Sequence, residues 1–371
     1  MPDDTHASLA RIAGSFALDG DFLDAAEIPS GHINSTFRAT FREAGGATRR
    51  YVIQRINAEV FPDPRAVMRN VERVTRHLRG KEHAGDRTLR LRPSRDGRAW
   101  FEADDGGVWR CYDFIEGCVT HDIVANPRQA WQAAQAFGRF QQLVSDLPAE
   151  EIEETLPDFH HTRKRYERLM EIAAADPLGR AAGVAEELDF ARNRERDCPV
   201  LVDLLDSGEI PRRITHNDTK LNNVMIDAAS DEAVCVIDLD TVMPGAALYD
   251  FGDLVRTATS PAAEDERDLS KVAMRLPMFE ALAAGYLGAA GSFLTEAEVA
   301  RLAFAGKLIT LETGLRFLAD HLAGDRYFKI HRPGHNLDRC RTQFKLVADI
   351  ERQLPAMDAI VHRLRRTPDS P

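Results

Sequence analysis

The side chains best suited to chemistry are crowded into one short stretch. "THNDTKLNN", Thr215 to Asn223, carries one His, one Asp, one Lys and three Asn in nine positions, and a hydrophobic run, "VMID", follows at once. Each polar side chain left dry and unpaired would cost ~1 to 3 kcal/mol, so this is not a core segment. A second acidic cluster, Asp238 and Asp240 in "CVIDLD", lies shortly downstream. Carboxylate and amide oxygens of this kind hold hard cations, and a separate Asp can orient an attacking hydroxyl.

Whether the two clusters meet depends on what lies between them. "NVMIDAASDEAVCVIDLD" is two β-rich runs joined by a polar turn. With the turn centred near Ser230, antiparallel pairing sets residue 227 opposite 233 and Asn223 opposite Ile237, which brings Asp238 beside Asn222 and Asn223. If the strand continues that far, Asp238 and Asp240 share a face. The pattern therefore predicts a cation site next to Asp218. An Asx-rich turn can be ordinary loop structure, but the second acidic cluster favours a site. Zinc would want more imidazole or thiolate ligands than His216 and its neighbours offer.

The rest of the chain must position these groups, and its texture changes near residue 115. "STFRATFREAGGATRRYVIQRI" alternates apolar and polar residues around Gly45-Gly46, and "GRAWFEADDGGVWRCYDFI" does so around Asp104 to Gly107, so both read as β-hairpins. Between them, "DPRAVMRNVERVTRHLRG" reads as one amphipathic helix ending at Gly80. From Pro127 onward helical periodicity dominates, broken by the hairpin at the acidic clusters. The expected architecture is α+β: a small antiparallel-sheet lobe over residues 1–115 and a large, mainly helical lobe over 116–371 with an inserted hairpin, joined near Phe114 to Gly117.

Composition narrows the function. A chain of 371 residues at 44% hydrophobic can bury a sizeable core, and a formal net charge of −11 argues against a general nucleic-acid or membrane-surface binder. Five scattered cysteines suggest neither a disulfide framework nor a thiolate metal site. With no signal-like start and no run of 18 apolar residues, the expected location is cytoplasmic.

His216-x-Asp218-x-x-x-x-Asn223, followed by a hairpin and Ile237-Asp238-x-Asp240, resembles the active-site signature of the aminoglycoside phosphotransferase and choline kinase superfamily, which has a protein-kinase-like fold. "PSGHINSTF", "YVIQRIN", "THNDTKLNNVMID", "CVIDLDTVMPG", "DFGD" and "ETGLRFLADHLAGDRYFKIHRPGHNLDRCRTQFKLV" look like the N-acetylhexosamine 1-kinase branch, over about Pro29 to Val347. The resemblance implies Asp218 as catalytic base, Asn223 and Asp238 as magnesium ligands, His216 as support for the catalytic loop and Lys220 near the transferred phosphate. ATP would be the phosphoryl donor.

The donor side is less regular. "PSGHINSTF" offers Gly31, His32 and Asn34 in a polar turn whose backbone N–H groups could face phosphates. The strand that supplies a phosphate-binding Lys in this fold is here "YVIQRI", and none of the seven lysines precedes Lys81. Arg55 is the natural substitute, with Gln54 the alternative if the register slips by one. Glu72 on the helix could pair with that Arg or simply face solvent, and Asp113 at the end of the second hairpin completes the candidate nucleotide-binding set. Asp250-Phe251-Gly252 spells the protein-kinase metal motif, yet it lies outside the hairpin. Asp250 and Asp253 are therefore expected to cap the helix near Leu254 and brace the catalytic loop.

On the acceptor side, Glu312, Arg316 and Asp320 share a helix face, and Arg316 and Asp240 are the candidate substrate contacts, with Asp218. The reading is an ATP-dependent kinase that phosphorylates the anomeric hydroxyl of N-acetylglucosamine or N-acetylgalactosamine. The alternatives are another small-molecule kinase of the superfamily, acting on an amino alcohol, an aminoglycoside or a different sugar, and a nucleotide-binding regulator without turnover.

Overall fold

The alternation seen in the two predicted hairpins builds a single antiparallel sheet. The computed structural model describes residues 2–29, 33–81 and 87–366, with side chains from residue 6 on. The chain begins with α1 (Pro2–Gly14), β1 (Asp21–Glu27), β2 (Ser35–Arg42), β3 (Thr48–Arg55), α2 (Pro64–Arg79), β4 (Phe101–Glu102) and β5 (Val108–Asp113). The sheet order is β1-β2-β3-β5-β4, every neighbouring pair antiparallel. Helix α1 and strand β1 are additions to the predicted elements; β1, "DFLDAAE", carries three acidic residues in seven and no strict alternation.

The two faces of the sheet have different partners. Tyr51 and Ile53 of β3 and Trp109 and Cys111 of β5 are buried with Leu9, Ile12 and Phe16 on the α1 side. Val108 and Tyr112 of β5 pack with Val67, Met68, Val71 and Val74 of α2 on the other. Helix α2 starts as its sequence dictates: Asp63 accepts hydrogen bonds from the Arg65 and Ala66 backbone, Pro64 is the first helical residue, and Gly80 follows the end.

The remaining elements are β6 (Cys118–Val119), α3 (Pro127–Val144), α4 (Thr162–Ala175), α5 (Ala185–Arg192), α6 (Val200–Asp206), β7 (Arg213–Thr215), β8 (Val224–Asp227), β9 (Ala233–Val236), β10 (Met243–Gly245), α7 (Ala247–Ala258), α8 (Leu276–Ala290), α9 (Glu296–Val299), α10 (Leu302–Ala323) and α11 (His335–Arg366). This part is largely helical, as expected, and its strands are short: β6-β8-β9 form one small sheet and β7-β10 another. The helix expected after Thr295 is two pieces, because Thr295 and Glu298 close a capping box on the short α9 before α10 begins. Gly252 is where α7 meets α10: a Cβ there would stand 2.6 Å from the Ala305 carbonyl oxygen. No helix among the described residues is long and apolar enough to cross a membrane.

Candidate active site

The hairpin register places the two acidic clusters together. Val224 pairs with Val236 and Met225 with Cys235, and the Ile237 N–H donates to the Asn223 carbonyl at 2.9 Å, so residue 223 stands opposite 237 as predicted. The strand then stops. Asp238 takes a left-handed backbone conformation (φ 61°) and residues 239–241 form a tight turn, which separates Asp238 from Asp240. The expectation of two carboxylates on one strand face is corrected here: no strand runs past Val236 to carry them.

Asp240 turns towards the sheet. Its Oδ2 accepts from Asn34 Nδ2 at 2.6 Å and its Oδ1 from Arg110, leaving it 3% exposed. A carboxylate this buried, bonded at each oxygen to a donor from the sheet side, presents little surface to an acceptor, so the structure shows Asp240 as a contact between the two halves of the molecule. Asn34 is likewise occupied, its Oδ1 accepting from the Asn57 N–H at 3.0 Å. Gly31 and His32 lie outside the described residues.

Strand parity corrects the donor-side cation as well. Arg55 lies on the α1 face beside Trp109 and pairs with Asp105 at 2.7 Å, so it points away from Asp238. Gln54 faces the other way, and the cation it meets there is Arg110, whose Nε donates to Gln54 Oε1 at 2.9 Å. Glu72 pairs with Arg76 one turn along its own helix, not with Arg55. Asp113 is held on the α1 face by a bidentate pair with Arg92 at 2.7 and 2.9 Å. Arg110 was legible in principle: "VWRCY" is an apolar run with one charge at its centre, on the same strand face as Val108 and Tyr112.

The catalytic-loop candidates are brought together. Lys220 Nζ lies 3.1 Å from Asp218 Oδ2, and Asn223 Nδ2 is 3.2 Å from the same oxygen. Burial disfavours charge on Asp218, but the neighbouring Lys220 ammonium more than offsets this, so its pKa falls below the ordinary carboxylate value. The Asp218 charge in turn raises Lys220. An ionised, partly open carboxylate can accept a hydrogen bond from an incoming hydroxyl and orient it, although the neighbouring ammonium weakens it as a base.

His216 ties the loop to the hairpin. Its Nδ1 accepts from the Asp218 N–H at 3.3 Å, which leaves Nε2 protonated to donate to the Ile237 carbonyl at 2.9 Å. Phe137 and Phe140 meet the ring edge-on. Asp250, fully buried, accepts from the His216 and Asn217 N–H groups at 2.9 and 2.7 Å and from Gln141. It braces the loop. The capping half of that expectation fails, since Ala246 precedes α7 with no side-chain cap and Asp253 pairs with Arg256 at 2.8 Å.

Asn217 also has a positive φ, 64°, and is held from all sides: to Asp250, to the Thr241 carbonyl at 2.9 Å, and through its own carbonyl to His160 Nε2 at 3.1 Å. His160 Nδ1 pairs with the buried Glu312 at 2.8 Å. Such strain persists only where the surroundings over-determine the backbone. His160 and Gln141 are parts of this support that sequence patterns did not single out; Glu312, expected on the acceptor-side helix face, instead holds His160, and Asp320 caps the 326–328 backbone rather than sharing a site with Arg316.

The residues fit a magnesium ion. Solvent reaches the Asp238 carboxylate, yet it makes no hydrogen bond or ion pair with another described residue, and desolvation by the surrounding protein, then Asp240 and Asp218, push its pKa up to about 6. A cation would relieve that unfavourable charge. Asn223 uses its Nδ2 on Asp218, which leaves Oδ1 available. No group of three or more His, Cys, Asp or Glu converges on a metal position among the described residues. Two protein oxygens with water and phosphate completing the shell is how magnesium is commonly bound.

Arg316 makes no hydrogen bond or ion pair among the described residues; its guanidinium lies over Phe159, Tyr327 and Phe328 at 5.2, 5.9 and 5.5 Å.

A sheet over a helical body, with a supported Asp-Lys-Asn loop facing a lone carboxylate across a hairpin, is the layout of a kinase-like phosphotransferase. Over residues 24–284 the chain matches the phosphotransferase enzyme family, and it belongs to that family. It is similar to a microcompartment-associated aminopropanol kinase at 15% identity, covering 95% of this chain and 98% of that one with a TM-score of 0.61. It is similar also to an aminoglycoside phosphotransferase from Alicyclobacillus acidocaldarius (13% identity, 96% and 95% coverage, TM-score 0.61) and to a choline kinase from Cryptosporidium parvum (13%, 94% and 96%, 0.56). At these identities the likeness is one of fold.

Proposed function

We propose that the protein is an ATP-dependent kinase that transfers the γ-phosphoryl group to the anomeric hydroxyl of an N-acetylhexosamine. The observation that carries the acceptor class is Arg316: an uncommitted guanidinium, backed by three aromatic rings and one helical turn from the Glu312–His160–Asn217 support of the catalytic loop. It can donate to hydroxyl or acetamido oxygens while Tyr327, 61% exposed, offers a face to sugar C–H groups. A cationic acceptor would meet charge of its own sign there. The sequence segments similar to N-acetylhexosamine 1-kinases support the same choice.

In this reading Asp218 aligns the sugar hydroxyl and accepts its proton, and Lys220 offsets negative charge beside it. His216 and Asp250 hold the loop so that Asp218 need not reorganise during transfer. Magnesium held by Asn223 and Asp238 would neutralise phosphate charge. ADP release is the test, measured with ATP and magnesium across N-acetylglucosamine, N-acetylgalactosamine, other sugars, choline, homoserine and aminoglycosides. Turnover should appear with the N-acetylhexosamines. Turnover confined to an amino alcohol or an aminoglycoside would reject the sugar reading, and none with any acceptor despite tight ATP binding would favour a regulator.

A further inference from the structure

We infer that Arg110 is a positioning residue for the transfer reaction, setting through Asp240 where Asp238 and Asn34 stand relative to each other. The inference rests on Asp238 being a cation ligand, and not on which acceptor is used. Three strands contribute to one polar chain: Thr36 Oγ1 of β2 accepts from Gln54 Nε2 of β3 at 2.9 Å, Gln54 Oε1 accepts from Arg110 Nε of β5 at 2.9 Å, and Arg110 reaches Asp240 Oδ1. The chain continues from Asp240 Oδ2 to Asn34 and from Asn34 Oδ1 to the Asn57 N–H. One carboxylate of the helical half thus gathers donors from the sheet and from the loop that precedes β2.

Burial makes this contact costly to build for stability alone. Arg110 is 1% exposed and Asp240 3%, and a buried ion pair is commonly matched or bettered by apolar side chains of similar volume. What the pair does provide is geometry. Asp238, two residues before Asp240, holds a left-handed backbone that the catalytic loop fixes on both sides: His216 Nε2 donates to the Ile237 carbonyl, and Thr241 Oγ1 donates to the His216 carbonyl at 2.7 Å. Arg110 adds the anchor on the sheet side. Groups that orient a ligand in this way typically change metal affinity or activity by about 10- to 100-fold when removed.

The test is ADP binding by calorimetry with and without magnesium, which needs no acceptor. In Arg110→Met, magnesium–ADP affinity should fall by about 10- to 100-fold while metal-free ADP affinity holds, and Arg110→Lys should recover part of the loss. Because Arg110→Met leaves the Asp240 charge buried without its cation, with only Asn34 donating to it, its fold is at risk. The double variant Arg110→Met, Asp240→Leu should restore the melting temperature without restoring magnesium–ADP affinity. Wild-type magnesium–ADP affinity in the double variant, or an equal loss with and without magnesium in Arg110→Met, would overturn the positioning role. A wild-type protein whose ADP affinity ignores magnesium would overturn the cation site, and this inference with it.

Discussion

Asp218→Asn lowers turnover by ~10² to 10⁴ while magnesium–nucleotide affinity stays nearly unchanged. The substitution keeps shape and the contacts of the loop, since Asn223 and Lys220 both approach Oδ2 and the backbone N–H still reaches His216. What it removes is the proposed proton acceptor. Rate at saturating substrates and nucleotide binding must be measured separately, because a fall in both would mean the loop had moved. The Lys220 ammonium holds Asp218 below the ordinary carboxylate pKa, so the carboxylate stays ionised as pH falls and is lost only below that ordinary value. A variant that keeps wild-type turnover would remove Asp218 from the chemistry.

Asp238 and Asp250 should fail in different ways. If Asp238 holds magnesium as proposed, Asp238→Asn removes a charged ligand that has no other partner among the described residues, so turnover falls and half-saturating magnesium moves upward, by about 10-fold or more on the scale of metal-site changes. Asp250→Ala removes the acceptor for two backbone N–H groups and Gln141. Each buried donor left unmet costs about 1 to 3 kcal/mol, so the melting temperature falls steeply while magnesium dependence in the surviving folded protein holds. Magnesium titration of rate and thermal unfolding separate the two. If the Asp250 variant shifts magnesium dependence and the Asp238 variant does not, the metal aspartate has been misassigned.

The register at the active-site end of the hairpin was legible because antiparallel pairing keeps a constant sum, and Asn223 opposite Ile237 follows; nearer the turn a bulge after Met225 pairs Ile226, not residue 227, with Ala233. Where that strand would end was not, because the left-handed turn at Asp238 depends on anchors from His216, Asn217 and Arg110 that are distant in sequence. The same limit explains Arg55. Sequence places it one residue from Gln54, and only the packing of α1 on one face and α2 on the other decides which of the two looks towards Asp238. Glu312 and Asp320 look like surface charges at helical spacing, yet both are buried and satisfied by partners far along the chain or in the following loop. Local pattern carries elements and pairings. Long-range polar contacts carry the assignment of roles.

The most direct measurement of the central claim compares N-acetylglucosamine and N-acetylgalactosamine with their 1-O-methyl glycosides, following ADP release and the position of phosphate in the product. A kinase that uses Asp218 to deprotonate the anomeric hydroxyl yields the 1-phosphate from the free sugars and leaves the glycosides, which keep their other hydroxyl and acetamido groups, unreacted. Phosphate transfer to a glycoside, or a product phosphorylated at any other hydroxyl, would contradict it.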